Sequence, residues 1–200
     1  MPLARWTARA ARARVLADRY PASREVLVFY AGLAEWLVAG PDNLLPGLVE
    51  LVERTGPDPL RQAERTLDWA PLNFFGRVVA ALGAPERCDG CDAPPQAGCL
   101  IPQGEGQALE LVCARCFGRR ASPRGRCPAC SDQKLVYFSA PEFPHLQLQA
   151  CESCHAYLLL VDLARDPDAI PEVDELAGLP LDLWAQEQGY RKLCPNLAGV

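Results

Sequence analysis

Eight of the ten cysteines in this 200-residue chain fall in four Cys-x-x-Cys pairs: Cys88/Cys91, Cys113/Cys116, Cys127/Cys130 and Cys151/Cys154. Two residues between thiols let one tight turn aim both sulfurs at a single ion, and a second such turn alongside completes a tetrahedron. The spacing is regular: 21 residues separate the first two pairs, 20 the last two, and 10 the two couples. Each interval within a couple accommodates a hairpin. That favours sequential pairing, first with second and third with fourth, while a crossed arrangement stays open. Disulfides are a poor alternative, because a bridge spanning two residues is strained and reducible. Redox-active Cys-x-x-Cys sites normally open a helix in a βαβ setting and rarely come fourfold. The chemistry expected is two tetrathiolate metal ions with all eight paired cysteines as ligands. Zinc and iron both suit four thiolates in a tetrahedron.

Other reactive groups are sparse. His155 directly follows Cys154, where it could replace a sulfur, tune the site or simply face solvent; His145 follows Pro144 in a turn with no obvious partner. No Gly-rich phosphate loop, nucleophile elbow or His-x-x-His set is visible. Asp166 with Asp168 and Asp174 with Glu175 read as acidic turns and helix starts. Cys99 is expected to be a buried free thiol, and Cys194 has no assigned role. A closed four-sulfur site lacks the open coordination position that metal catalysis needs, so no enzyme is expected.

Charge narrows the partners. Residues 1–87 carry 11 Lys+Arg against 10 Asp+Glu, a net of +1, and residues 88–200 carry 9 against 15, a net of -6. An acidic cysteine module is a poor match for a phosphate backbone, so no nucleic acid is expected. Six arginines crowd the first 24 residues against one acid, Asp18. That start could be a transit segment, but a solvated helix face is the plainer expectation. The apolar stretch 26–39 is interrupted by Glu35 and too short to span a bilayer, so no membrane insertion is expected. No signal sequence is visible, and reduced thiols point to the cytoplasm.

The elements that must hold the cysteines follow from pattern. A helix is expected over residues 4–18, broken at Pro21, with Ser23 capping the next. Val26, Tyr30, Leu33 and Leu37 recur at helical spacing up to Gly40-Pro41, and Leu48, Leu51 and Val52 mark a short helix ending at Gly56. Asp58-Pro59 should open a helix through Leu60, Ala63 and Leu67; Pro71 should open another carrying Leu72, Phe75, Val79 and Leu82, closed by Gly83. The aromatics Trp6, Phe29, Tyr30, Trp36, Trp69, Phe74 and Phe75 read as core. Beyond Pro85, residues 100–101 and 109–112 flank Gly104-Glu105-Gly106 as a hairpin. Arg119, Arg120, Arg124 and Arg126 mark a polar linker over 119–126. Strands are expected over 134–138, 145–150 and 157–163, then a closing helix or helix pair ended by Gly189. The fold class is α+β: a helical bundle (1–85), a first rubredoxin-like or zinc-ribbon module with four cysteine ligands (86–126), and a second such module with a C-terminal helix (127–200).

With these residues in view, the chain resembles the formate dehydrogenase accessory proteins of the FdhE family. The likeness rests on the four knuckles and on a closing string: Cys151-Glu-Ser-Cys154-His-Ala-Tyr157-Leu158, Asp174-Glu-Leu-Ala-Gly-Leu-Pro-Leu-Asp182-Leu, Glu187-Gln-Gly-Tyr190-Arg191 and Pro195-Asn196. Weaker likeness runs through residues 8–37 and 73–82. The resemblance implies a cytoplasmic protein with a helical N-terminal region and two metal modules that binds the catalytic subunit of formate dehydrogenase and supports its maturation or activity. There are departures. The helical region is shorter than the family's, Phe117-Gly-Arg119 stands where the family has a tryptophan, and Asp92, Phe117, Ser131 and His155 replace the glycine that often follows a knuckle. Three readings compete: the assembly factor that the resemblance favours, a nucleic-acid-binding ribbon, and a one-electron carrier with iron in its sites.

Overall fold

Alanine and arginine dominate the N-terminal stretch, and both are strong helix formers. In the computed structural model, which describes residues 2–58, 60–61, 74–82 and 86–196, they form a single helix, α1 (Pro2–Arg19). Pro21 ends it and starts a 3-10 turn (Pro21–Ser23) that leads into α2 (Arg24–Val38). Gly40, at φ 70°, breaks the chain before α3 (Leu44–Thr55). The last element of the helical region is α4 (Phe74–Leu82). The helix expected from Asp58-Pro59 through Ala63 and Leu67, the Pro71 start, Trp69 and the Gly83 stop lie outside the described residues.

Seven strands follow: β1 (Pro95–Gln103), β2 (Gly106–Cys113), β3 (Arg119–Ser122), β4 (Leu135–Phe138), β5 (Leu146–Cys151), β6 (Ala156–Asp162) and, after α5 (Pro171–Ala177) and α6 (Leu179–Glu187), the short β7 (Arg191–Lys192). Each ribbon is a three-stranded antiparallel meander. The two are joined into one sheet of order β3-β2-β1-β6-β5-β4, because β1 pairs with β6 in parallel; β7 adds to β6. The junction depends on a glycine. A Cβ at Gly98 would come within 2.6 Å of Leu160 Cδ2, so a larger residue there would require the Leu160 side chain to move.

Strand alternation then sorts the side chains. Tyr157, Leu159 and Val161 of β6 join Leu146, Leu148 and Ala150 of β5 in the main core, with Trp6, Leu16, Leu27, Tyr30 and Leu33 of the helices. Leu158 and Leu160 point the other way, onto Leu100, Leu109 and Leu111. β6 is thus buried on both faces, which explains its unbroken apolar sequence. The 119–126 linker is corrected in part: its first four residues are β3, paired to β2 along Leu109–Ser122 to Val112–Arg119. Ser23 is also not a side-chain cap. Its hydroxyl donates instead to Ala177 O at 2.8 Å, tying α2 to α5.

The arginines of α1 are the larger correction. Arg9 is buried, and its Nε donates to Glu172 Oε1 at 2.8 Å. Arg12 reaches Asp174 Oδ2 at 3.0 Å and Asp166 Oδ2 at 2.6 Å, while Arg14 pairs with Glu35 on the surface. α1 is flanked by α2 on one side and α5 on another, so arginines spread around its surface cannot all reach water. Two of them face the acids of α5 instead. Those acids lie in the first turn of the helix, as expected, and are ion-pair partners as well; Asp174 Oδ2 also accepts from Ile170 N at 2.8 Å. His145, without a partner in the sequence reading, sits with Nε2 2.9 Å from Asp174 Oδ1.

Two expectations follow. Glu172→Gln leaves the Arg9 cation buried and uncompensated, and should cost about 3 kcal/mol in urea unfolding. The double change Arg9→Met with Glu172→Leu should recover most of that loss. Burial pushes the Asp166 carboxyl up, but the Arg12 hydrogen bonds outweigh it and hold the group below the ordinary carboxylate range. Its contribution is present above the unfolded pKa of about 3.9 and is lost as pH falls through the depressed folded value. Asp166→Asn should flatten that acid limb of the stability–pH profile, measured by thermal melts from neutral to strongly acid pH.

Candidate metal centres

Three of the four knuckles are turns closed by the backbone. Phe117 N donates to Cys113 O at 3.0 Å, Ser131 N to Cys127 O at 2.9 Å, and His155 N to Cys151 O at 2.9 Å. A return of this kind needs a left-handed residue just after the second cysteine. Among the described residues, the non-glycine positions with positive φ are Asp92 (47°), Phe117 (58°), Ser131 (64°) and His155 (58°), one after each knuckle. Each non-glycine occupant costs roughly 1 kcal/mol, so all four turns hold strain. These are the positions that stand out in the sequence as departures; the structure gives them the conformation that glycine would adopt freely.

The turns converge in sequential couples. The thiols of Cys88, Cys91, Cys113 and Cys116 form one group and those of Cys127, Cys130, Cys151 and Cys154 a second, with the ligand atoms of each group within 4.8 Å of one another. In the second, Cys127 Sγ lies 3.6 Å from Cys154 Sγ, and Cys130 Sγ lies 3.7 Å from Cys151 Sγ. A tetrahedron with metal–sulfur bonds of about 2.3 Å has edges of about 3.8 Å, so these separations fit an ion at the centre. They are far too long for disulfides. Backbone amides also aim at the sulfurs: Gly118 N at Cys116 Sγ and Ala129 N at Cys127 Sγ, both at 3.4 Å. Both groups can hold a metal ion.

The thiols of each group differ in acidity. Burial disfavours the thiolate throughout, but at Cys88 and Cys151 backbone amides and neighbouring thiols outweigh it and bring the pKa down to about 7. Burial wins at Cys154, pushed up to about 12, and it raises Cys116 as well.

The two groups are supported differently. In the first, Gly118 brings the knuckles into contact; a Cβ there would meet Cys88 N at 2.9 Å. Cys88 N donates to Arg119 O at 3.0 Å. Behind it stands Arg77 of α4, a buried residue that sequence reasoning passed over. Its Nε donates to Ala114 O at 2.7 Å and its Nη1 to Pro195 O and Asn196 O at 3.0 and 2.9 Å, while Nη2 bonds Gln96. Gln96 in turn bonds Glu175, and Lys192 lies 2.8 Å from Glu175 Oε1 and 2.5 Å from Asp182 Oδ2. Burial would lower the Lys192 pKa, but attraction to the two carboxylates raises it; Glu175 and Asp182 are raised by burial. The available signal was a run of charged residues inside the apolar closing string. The second group is more open: Cys130 is exposed and Cys154 half-buried. Asp132 closes its loop, accepting from Lys134 N at 3.0 Å and from Ser153 Oγ at 2.8 Å. His155 is outside both thiol groups, its ring 5.9 Å from that of Tyr190. Cys99 is fully buried, with its thiol pushed up to about 11 by burial. Cys194 is also buried and outside both groups.

Residues 126–198, which contain the second group and Glu175, Asp182 and Lys192 of the buried charge network, match the family model "FdhE, C-terminal domain". The C-terminal part of the chain is thus similar to the FdhE C-terminal domain. It is 34% identical over 171 residues to an FdhE homolog of Pseudomonas aeruginosa, covering 80% of this chain and 53% of that protein. Homologs from Aquifex aeolicus (30% over 116 residues) and Stutzerimonas stutzeri (36% over 113 residues) align with 56% and 55% of this chain and 41% and 37% of their own. The chain thus spans about half the length, or less, of these curated relatives. The crystal structure of the FdhE protein from P. aeruginosa superposes with a TM-score of 0.73 at 23% identity, covering 96% of this chain and 94% of that one, and shows the same α+β fold.

Metal analysis of protein purified without oxygen is expected to give two ions per chain, and Cys113→Ser should remove about one of them. A chromophoric chelator should release metal in two phases. The faster phase belongs to the group with exposed Cys130, and Cys130→Ser should abolish that phase alone.

Proposed function

We propose that this protein is an accessory factor that binds the catalytic subunit of formate dehydrogenase and supports its maturation or activity, without catalysing a reaction itself. The observation that carries this reading is the FdhE match over residues 126–198, which takes in the whole second knuckle couple and the buried charges Glu175, Asp182 and Lys192. We assign Cys88, Cys91, Cys113 and Cys116 to one metal ion, and Cys127, Cys130, Cys151 and Cys154 to another, iron or zinc in each case. The ions would pin the knuckles to their strands and hold the strained turns closed. Among the described residues no helix is long and apolar enough to cross a membrane. We place the protein in the cytoplasm on its thiol chemistry. The net charge of -6 over residues 88–200 disfavours nucleic acid.

A second reading, one-electron transfer through iron, draws on the exposure of Cys130, since a carrier needs a solvent-facing ligand. It predicts a fast, reversible redox couple in the purified protein. For the accessory reading, tagged protein should co-purify with formate dehydrogenase from its host under anaerobic conditions. Deleting the gene should lower the dehydrogenase's activity without lowering its transcript. A dehydrogenase that matures normally in the deletion strain and never co-purifies overturns the reading.

A further inference from the structure

The sheet ends in two edges of opposite character. β3, at one edge, presents Arg119 and Arg120, the kind of charge that keeps strands from adding. β4, at the other, reads Leu135-Val136-Tyr137-Phe138 and pairs only with β5. The phase of that pairing is fixed by Glu152 N donating to Lys134 O at 2.9 Å and by the register Leu135↔Cys151. Residues 134, 136 and 138 therefore exchange hydrogen bonds with β5, and the backbone groups of 135 and 137 point outward. Leu135 N turns back to Gln133 O at 2.8 Å, whereas Tyr137 N and O have no backbone partner among the described residues.

Beside this edge runs a groove of about 980 Å³, walled by Tyr20, Tyr137, Phe138, Phe143, Leu181 and Trp184. Its walls come from three places: the end of α1 with the 3-10 turn, β4 with the turn after it, and α6. Tyr137 is 44% exposed and Trp184 36%, although Phe138 and Trp184 stack edge to face at 4.8 Å. An outward backbone beside aromatic walls is the arrangement that captures an extended chain: main-chain bonds hold it and pockets take alternate side chains.

We propose that β4 and this groove receive an extended, apolar segment of a partner protein as an added strand, with a basic residue of that segment lying beside it. The proposal rests on the accessory reading above and specifies the surface and the chemistry of the partner. Charge argues for the basic residue and against a second copy. Residues 88–200 carry a net charge of -6; on the groove rim the Arg19 guanidinium lies over the Tyr20 ring at 5.3 Å, whereas Glu142 has no ion-pair partner among the described residues. Four thiolates around a divalent ion would add a charge of about -2 at the knuckle that leads into β4. Two copies docked edge to edge would bring these like charges together, whereas a basic segment is drawn in.

The test uses the full chain and two variants. Tyr137→Pro removes the outward N–H, at an edge position where proline is tolerated. Ala22→Arg, at an exposed residue on the opposite wall, fills the groove with a cation. The probes are overlapping synthetic peptides covering the host's formate dehydrogenase catalytic subunit, and the intact subunit itself. The expected result is that one extended apolar, basic peptide and the subunit bind the unmodified chain. Each variant should weaken both by roughly tenfold, with melting temperature and metal content unchanged. If the intact subunit binds all three proteins equally, the edge proposal is overturned and the accessory reading stands. If neither probe binds the unmodified chain, the accessory reading fails and takes this proposal with it. A concentration-dependent dimer in sedimentation equilibrium that Tyr137→Pro abolishes makes a second copy the occupant, which also overturns the proposal.

Discussion

A three-stranded ribbon is a small scaffold that needs a staple or a larger core, and each ribbon here has only three strands in its meander. The pairing of β1 with β6 solves this for both ribbons at once. It turns two meanders into one sheet wide enough to support α1, α2 and α5 on one face and a leucine cluster on the other. Both strands leave their knuckles in the same direction, so a parallel junction sets the two thiol groups at the same end of the sheet. An antiparallel junction would have put them at opposite ends. At Gly98 the side chains of Leu160, Leu109 and Leu158 fill the space a Cβ would take, so the glycine lets the leucine cluster close over the junction.

The helical region is attached to this sheet by charge as well as by apolar contact. Arg9 and Arg12 of α1 reach Glu172, Asp166 and Asp174; Arg77 of α4 reaches the carbonyl of Ala114, inside the second knuckle. Buried ion pairs of this kind contribute little net stability, since desolvation offsets most of the attraction. They are selective, however. A slip of α1 by one residue would strand two guanidinium groups and three carboxylates, and the cost of leaving them unpaired fixes the docking of the helix more sharply than leucine contacts do.

Local signals made much of this legible. Cysteine spacing marked both thiol groups and favoured the sequential pairing they adopt, Gly104-Glu105-Gly106 marked the first hairpin, and apolar periodicity marked α2 and α3. What stayed hidden was long-range. Nothing near Arg9 in the chain says that its partner lies 163 residues away, so a helix with arginines all around reads as solvated. Arg77, Gln96, Glu175, Asp182 and Lys192 come from five different elements, and each alone looks like an ordinary surface residue. β3 was missed because Arg-Arg-Ala-Ser has no apolar alternation. It is the last strand of the sheet, bridged on its far side by the segment at Arg87, and its pattern is one of protection rather than burial. The left-handed turns were half visible: the positions stood out, but only the backbone shows that four unlike residues share one conformation.

The two thiol groups have the same motif and different surroundings, and the difference comes from what packs against each. Arg77, Gln96 and the segment through Asn196 close over the first, leaving only Cys91 partly exposed. Among the described residues no helix covers Cys130 in the second, and the strand that leaves its knuckle is the open edge β4. An ion in the first group would act as an internal staple, because its knuckles also carry the contacts that hold α4 and the C-terminal residues. An ion in the second would sit where a partner, a chelator or an oxidant arrives first. Duplicating one ribbon and burying only one copy separates the two tasks: the first can be tight because nothing need reach it, and the second can respond to its surroundings without loosening the core.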